Sequence, residues 1–510
     1  MSLAKQISGP ECSTTPPAVG YGCQALEPGV SLGDPTKSVS SSCKMQLEGG
    51  VSRAARLYAL RHLMLRSAVP QELLNAWKVE VNDDVTVVEL GRDMKIRFRH
   101  APATFWRDLV DGRYEVVYAE WPYPPPSPCS DLVPDFVVPF VDRAYAGPLF
   151  VMTSRDTWEC PIDLLASMLL TLSRFEELQS EQRDLHGRFL AAQSVALEWN
   201  FLHRPIVDEY GLALQQVIQA LLPGWRPPER KLRVKLSHDV DEIGFPRSIS
   251  NSLGHTLKRR QPFATLRDLL GPAFGLRPSL LEAVFRITEM SKRHGMASAL
   301  YWKDSPKSDW DSGYDLSMKP VHEVVARLKN EGVELGVHPG YYTFNDPHRL
   351  GDEVEHICEE IAESKVGGRQ HFLRWHPRTW HDWEKCGLAY DSTVGFSDHI
   401  GFRAGTCVPY RPWSLELNRE IELLEIPLLA MDVTLAYYMH LAPEESAALL
   451  LQCVERCKIV GGVFTLLWHN RSLLDPTYGH AYQTVLSTLD CSPAFDWKHA
   501  LSSGRLIPSK

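Results

Sequence analysis

The sequence predicts an α/β protein: a closed or nearly closed barrel of (β/α) units over residues 226–510, a smaller α/β (α+β) domain over 56–225, and a flexible tail over 1–55. Three observations predict it. At 510 residues the chain exceeds one ordinary core, since domains average ~150 residues. Beyond the linker, short strand-like runs alternate with helical periodicity about seven times, the pattern of a parallel sheet wound into a barrel. Between the two parts, GWRPPER (224–230) has the proline and glycine density of a linker.

Taken in order, residues 1–55 are rich in Ser, Gly, Pro and Thr and lack hydrophobic periodicity, so order should begin near Arg53, where AARLYALRHLMLR has helical spacing. Val85–Leu90 and Tyr114–Tyr118 read as short strands. WPYPPPSPC (121–129) must be an extended loop, because proline supplies no ladder donor. Leu164, Leu165, Met168, Leu169, Leu172 and Phe175 share one helix face, and a second helix covers Ile206–Leu222 before Pro223-Gly224 stops it. The expected barrel strands are Arg233–Asp239, Ala297–Trp302, Val333–His338, Phe372–Trp375, Tyr390–Val394, Leu424–Val433 and Val463–Trp468. One intervening helix carries its end signals: Pro443 at its first position, Glu444 and Glu445 in the first turn, Arg456 and Lys458 in the last, then Gly461-Gly462.

Composition excludes several classes. Hydrophobic residues are 44% and charged residues 23%, globular values that rule out wholesale disorder. Lys plus Arg is 54 against 63 Asp plus Glu, a net charge of -9, so no basic surface for gripping nucleic acid is expected. The best apolar run, Ile162–Leu172, is interrupted by Asp163 and too short for ~30 Å of hydrocarbon, so no transmembrane segment is expected. No secretory signal is readable at the start, and the 11 cysteines are scattered without a CxxC pair. Reduced thiols and a cytoplasmic location are the expectation.

The chemistry collects at strand ends. In KLSHDVDEIG, a period of two puts Lys235, Ser237, Asp239 and Asp241 on one face. Two carboxylates there are costly to bury without a cation; the alternative is an exposed loop whose aspartates cap the next helix. VELGVHPGYY stops just after His338, and GGVFTLLWHN ends in His469. Either histidine alone reads as a hydrogen-bonded structural residue. Together with Asp-x-Asp at the carboxyl ends of barrel strands, where barrel enzymes build their sites, they read as a site.

SHDVDEI, ELGVHPGYY, RQHFLRWHPRTW, YDSTVGFSDHIGFRAGTC and GGVFTLLWHN, in this order, resemble the motif series of the polysaccharide deacetylase family (carbohydrate esterase family 4). LLASMLLTLSRFEE, DLHGRF and LHRPIVDEY are similar to the N-terminal companion domain of a bacterial subgroup, so the resemblance spans nearly everything after residue 56. It implies a distorted (β/α)7-type barrel and a divalent metal ion. Residue by residue, it implies Asp239 as general base, Asp241 and His338 as metal ligands, Arg374 as the arginine pairing with the base, and Asp391 tuning the acid His469.

The sequence departs from the family at Tyr342, where a second histidine is usual. Catalytic zinc normally has three protein ligands. His371 is the candidate for the third, a structural or supporting role being the alternative; two histidines and a carboxylate suit Zn most, with Co, Fe or Ni possible. Tyr342, Arg403 and Trp375 are candidate substrate contacts: Arg403 for a carboxylate or phosphate, or else a structural ion pair, and Trp375, like Trp302, Trp380 and Trp468, for stacking on sugar, or else core. Cys453 and Cys457 share a helix face and read as buried small hydrophobes, Cys407 lacks a basic partner, and Lys258-Arg259-Arg260 reads as a solvated helix face.

The leading expectation is a metal-dependent deacetylase acting on the acetamide of an N-acetylated sugar or glycan precursor, the absent export signal arguing against finished cell wall. The alternatives are hydrolysis of a non-sugar amide or cyclic C–N bond, and a catalytically inactive barrel that binds a glycan or partner protein, motivated by Tyr342. Oligomeric state is not readable from the sequence.

Overall fold

A mixed five-stranded sheet opens the computed structural model, which describes residues 47–91, 93–126, 129–243, 279–489 and 492–503. The expectations for the tail before residue 47 and for Lys258-Arg259-Arg260 lie outside the described residues. Strands β1 (Lys78–Val81), β2 (Val85–Gly91), β3 (Met94–Arg99), β6 (Val151–Ser154) and β7 (Thr157–Cys160) lie in the order β1-β2-β3-β7-β6. β3 and β7 run parallel and the other neighbours antiparallel. β4 (Glu115–Ala119) and β5 (Phe136–Val141) form a separate antiparallel pair. Helices Arg53–Arg66, Leu164–Leu172 and Ile206–Leu221 complete this part, close to their expected bounds. Leu164–Leu172 is buried on every side rather than on one face, and Phe175, expected on the same helix, instead opens a separate one, Phe175–Gln179, after Arg174 in the left-handed region.

Asp163 shows how local sequence sets these helices. Its carboxylate accepts from the Ala166 amide at 3.0 Å, capping the helix that begins there. The same group takes both nitrogens of Arg56 at 3.0 and 3.1 Å, which ties helix Arg53–Arg66 to it.

The main sheet of the second part is parallel. β8 (Arg233–Val240), β9 (Ser298–Trp302), β10 (Glu334–Val337), β15 (Ala430–Met431) and β16 (Val463–Leu467) lie in the order β10-β9-β8-β16-β15. β11 (Tyr390–Asp391) pairs in parallel with β14 (Leu424–Glu425), and β12 (Trp413–Ser414) with β13 (Arg419–Glu420) in antiparallel. Helices Leu280–Arg293, Lys319–Asn330, Pro347–Ile361 and Pro443–Val460 alternate with these strands. The last ends as the sequence predicts, on Gly461 in the left-handed region (φ 68°).

Two expected strands are corrected. Phe372–Trp375 is no strand: His371–Leu373 is a 3-10 turn with Phe372 and Leu373 at positive φ. The residue that bridges β10 to β11 is Gly368, paired with Val337 on one side and Asp391 on the other. Packing is the reason. A Cβ on Gly368 would lie 1.9 Å from the Val337 carbonyl oxygen, and one on Gly367 would lie 2.2 Å from the Tyr390 ring. Only a strand without side chains fits there, and it gives no hydrophobic signal to read. The expected Leu424–Val433 strand is interrupted: its start bonds to β11 and its end to β16, so it forms β14 and β15. Among the described residues no continuous closed ladder of assigned strands is present, and no helix is long and apolar enough to cross a membrane.

Buried ion pairs join the two parts. Arg66 Nε donates to Asp208 at 2.6 Å, and Asp208 in turn accepts from Thr406 Oγ1 at 2.6 Å and the Cys407 amide at 2.8 Å. Arg403 donates through Nη2 to Glu177 at 2.5 Å and through Nε at 2.9 Å. Arg230, at the end of the expected linker, donates to the Val460 and Arg66 carbonyls at 2.9 and 2.8 Å. Burial pushes the Glu177 carboxyl up, but Arg403 and Arg174 outweigh it and bring it down to about 2 from the ordinary 4.5. A depressed carboxyl stabilises the fold above its unfolded value and loses that contribution as pH falls through the folded one. Replacing Arg403 by Ala leaves Glu177 buried beside Arg174 alone, with an expected loss of about 3 kcal/mol at neutral pH, read by urea denaturation. The loss should shrink as the pH is lowered toward 3.

Candidate metal centre

The carboxyl ends of the parallel strands bring one set of side chains together. The inward face of β8 carries Lys235, Ser237 and Asp239, with Asp241 just beyond its end, as a strand period of two requires. Asp239 is buried and accepts from Arg369 Nη1 at 2.8 Å. Arg369 also donates through Nη2 to Ser237 at 2.9 Å and through Nε to the Ser392 carbonyl at 2.9 Å, so β8, Gly368 and the end of β11 are cross-linked. On the opposite face, His238 bonds to the Trp468 carbonyl at 2.8 Å, and burial lowers its pKa to about 4. It is structural.

Above that layer, Asp241, His338 and His371 each offer a ligand atom, and these atoms lie within 4.8 Å of one another. His338 Nδ1 lies 2.7 Å from the Arg369 carbonyl, so that nitrogen carries the proton and Nε2, 3.1 Å from Asp241 Oδ1, presents its lone pair. His371 Nδ1 faces Asp311 Oδ1 at 2.9 Å and its Nε2 lies 3.3 Å from Asp241 Oδ1. Backbone carbonyl and carboxylate partners of this kind orient imidazoles for a metal, so the donor set fits a divalent cation. Burial lowers the His338 pKa, which keeps it a neutral ligand. Burial alone would raise Asp241, yet Lys303 and His371 hold it well below the usual carboxylate range.

Across the cluster stands a histidine–aspartate pair. His469 Nδ1 lies 2.7 Å from Asp432 Oδ1, the His469 amide donates to Asp432 Oδ2 at 2.9 Å, and Nε2 lies 3.5 Å from Asp241 Oδ2. Burial pushes His469 down, but Asp432, with Asp241 and Asp239 behind it, lifts the imidazolium to about 9. Its Nε2 faces the cluster.

The structure places the expected residues unevenly. Asp239, Asp241, His338, His371 and His469 come together. Arg374 does not pair with Asp239: Nε donates to the His186 carbonyl at 2.8 Å and Nη1 to the Tyr341 carbonyl at 2.6 Å, and Arg369 takes the expected place. Because the strand is at Gly368, the arginine at its end lies five residues earlier than the expected strand suggests. Asp391 does not touch His469. It is buried, accepts from the Thr393 amide at 2.9 Å, and stands in register with Glu425 on β14; burial pushes both carboxyls up. Asp432 is the partner instead.

Trp375 is fully buried against Trp380 and under the Arg403 guanidinium, and Arg403 is buried and paired with Glu177, so both take the structural alternative. Tyr342 is 39% exposed, its ring against Tyr341 and near Arg349. Trp302, Trp380 and Trp468 are core, as are Cys407, Cys453 and Cys457. Sequence reasoning misses four site residues: Lys303, Asp311, Arg369 and Asp432. Two have a signal, since Lys303 directly follows Trp302 and Asp432 ends an apolar run, whereas Arg369 follows Gly367-Gly368, which carry no apolar pattern. Asp311 lies in an irregular loop, where spacing says nothing.

A family model described as "Family of unknown function (DUF7033)" matches residues 91–223. No curated protein matches the chain. Among solved structures, the chain is similar to a putative polysaccharide deacetylase from Mycobacterium smegmatis at 16% identity, covering 56% of this chain and 94% of that one with a TM-score of 0.38. A Puue allantoinase matches at 13% identity over 56% of this chain and 94% of that one, TM-score 0.37. A probable polysaccharide deacetylase from Pseudomonas aeruginosa PAO1 matches at 14% identity over 54% and 90%, TM-score 0.36.

Proposed function

We propose that the chain is a metal-dependent hydrolase of carbon–nitrogen bonds, of the polysaccharide deacetylase type, which removes acetyl from an N-acetylated sugar or glycan precursor. One observation carries this reading: the Asp241, His338 and His371 donors gather within 4.8 Å at the ends of parallel strands, facing the His469–Asp432 pair. The frame is read as a distorted (β/α)7-type barrel. Gly368 carries the bridging from β10 to β11, and the Leu429 amide bonds to the Thr465 carbonyl, linking the segment after β14 to β16.

Asp241, His338 and His371 would hold the ion, zinc by the donor types, and Asp311 and the Arg369 carbonyl would keep the imidazoles in place. A divalent ion in such a set lowers the pKa of water toward ~7 and polarises a carbonyl. Asp239, oriented by Arg369, accepts the proton of the attacking water. His469, protonated and held by Asp432, gives its proton to the departing amine, which leaves poorly otherwise. The amide C–N bond breaks, a C–O bond forms, and acetate and a free amine result. Tyr342, exposed on the turn after His338, remains the candidate sugar contact.

The test is acetate release from N-acetylglucosamine oligomers by the purified full chain. Release should stop on chelation and return with zinc or cobalt. Ammonia from an amide in place of acetate would move the substrate to a non-sugar compound. A protein that holds no divalent ion and ignores added zinc and cobalt would be a binding module instead.

A further inference from the structure

Lys303 follows β9 directly, and its backbone is fixed by the Tyr314 hydroxyl, which accepts from the Lys303 amide at 2.8 Å and donates to the Val240 carbonyl at 2.6 Å. Its side chain is 1% exposed. The ammonium lies 3.2 Å from Asp241 Oδ1, 3.4 Å from Asp311 Oδ1, and 3.0 and 2.9 Å from the two ring nitrogens of His371. Two of those groups, Asp241 and His371, belong to the donor set for a divalent ion. A lysine is strongly hydrated and is rarely buried unless paired. Here its pairing consists of the cluster itself.

The other carboxylates nearby have partners of their own: Asp239 is held by Arg369, and Asp432 lies against His469. That leaves Asp241 and Asp311 facing Lys303, two negative charges against one positive. A cation of the chain's own therefore already offsets much of the cluster's negative charge, and a divalent ion entering it meets a positive charge in contact with its donors. Like charges at such separations in a poorly solvated site repel strongly.

We propose that Lys303 is a built-in counter-cation of the Asp241–His338–His371 cluster, which holds the cluster together without a metal and competes with a divalent ion for its donors. The proposal rests on the reading of that cluster as a metal site. The chain consequently takes up metal weakly for a two-histidine, one-carboxylate set, and needs no metal to fold.

The experiment compares the full-length protein with Lys303→Met, which keeps most of the side-chain volume and removes the charge, and with Lys303→Gln in case the first folds poorly. Zinc affinity is measured by competition with a chromophoric chelator, and thermal melting is recorded with and without zinc. Binding should be about 100-fold tighter in the variant. The metal-free variant should melt below the unaltered protein and recover when zinc is added. Equal or weaker zinc binding by the variant overturns the proposal while leaving the metal site itself intact. A metal-free variant as stable as the unaltered protein also overturns it. If neither protein binds zinc, the metal reading and the proposal fall together, an outcome distinct from the other two.

Discussion

Asp239→Asn should reduce turnover about 1,000-fold or more and leave zinc content unchanged. The asparagine keeps the shape and still faces Arg369, but it cannot accept a proton, and general-base catalysis is worth about 100- to 10,000-fold. Asp239 faces the other ring nitrogen of His338: its Oδ2 lies 3.7 Å from Nδ1, while His338 presents Nε2 to Asp241. Elemental analysis and acetate release on the same sample separate the two roles. Loss of metal with loss of activity would make Asp239 a support for His338 and remove the base from the mechanism. Asp241→Asn is the contrast, since it should lose both.

The second large effect lies on the other side of the cluster. Asp432→Asn should lower kcat about 100-fold or more with little change in KM, because His469 loses the carboxylate that fixes its tautomer and stabilises its charged form. The effect is expected in turnover rather than binding, since in the proposed reaction His469 acts on the leaving amine. Asp391→Asn is the informative control. The resemblance assigns Asp391 to this task, yet the structure seats it beside Thr393 and Glu425. Its kcat should stay near that of the unaltered protein. A large fall for Asp391→Asn with none for Asp432→Asn would reverse the assignment.

The site is partly legible in the sequence, and the legible part has a common cause. Asp239, Asp241, His338 and His469 sit at the ends of strands whose apolar residues announce them, so the strand and its terminal residue are read together. His371 is a candidate ligand from its chemistry alone, and the geometry brings it to Asp241. Arg369 escapes notice because Gly367 and Gly368 leave no hydrophobic trace, whereas the apolar FLRW run nearby imitates a strand. Substrate roles for Arg403 and Trp375 are open alternatives in the sequence, and burial against Glu177 and Trp380 removes them.

By itself the sequence determined the alternation of strands and helices, the strand ends that carry acids and imidazoles, and the signals that start and stop helix Pro443–Val460. These are local properties, written in periodicity and in the residue types at element ends. Tertiary structure alone decided which acid meets which base: Asp432 with His469, Arg369 with Asp239, Glu177 with Arg403, and Lys303 among Asp241, Asp311 and His371. Such pairings join residues far apart in the chain, and their partners are chosen by strand register and by how closely backbones can approach. A pair of glycines thin enough to slip between Val337 and Tyr390 settled the arginine, and no local pattern records that distance.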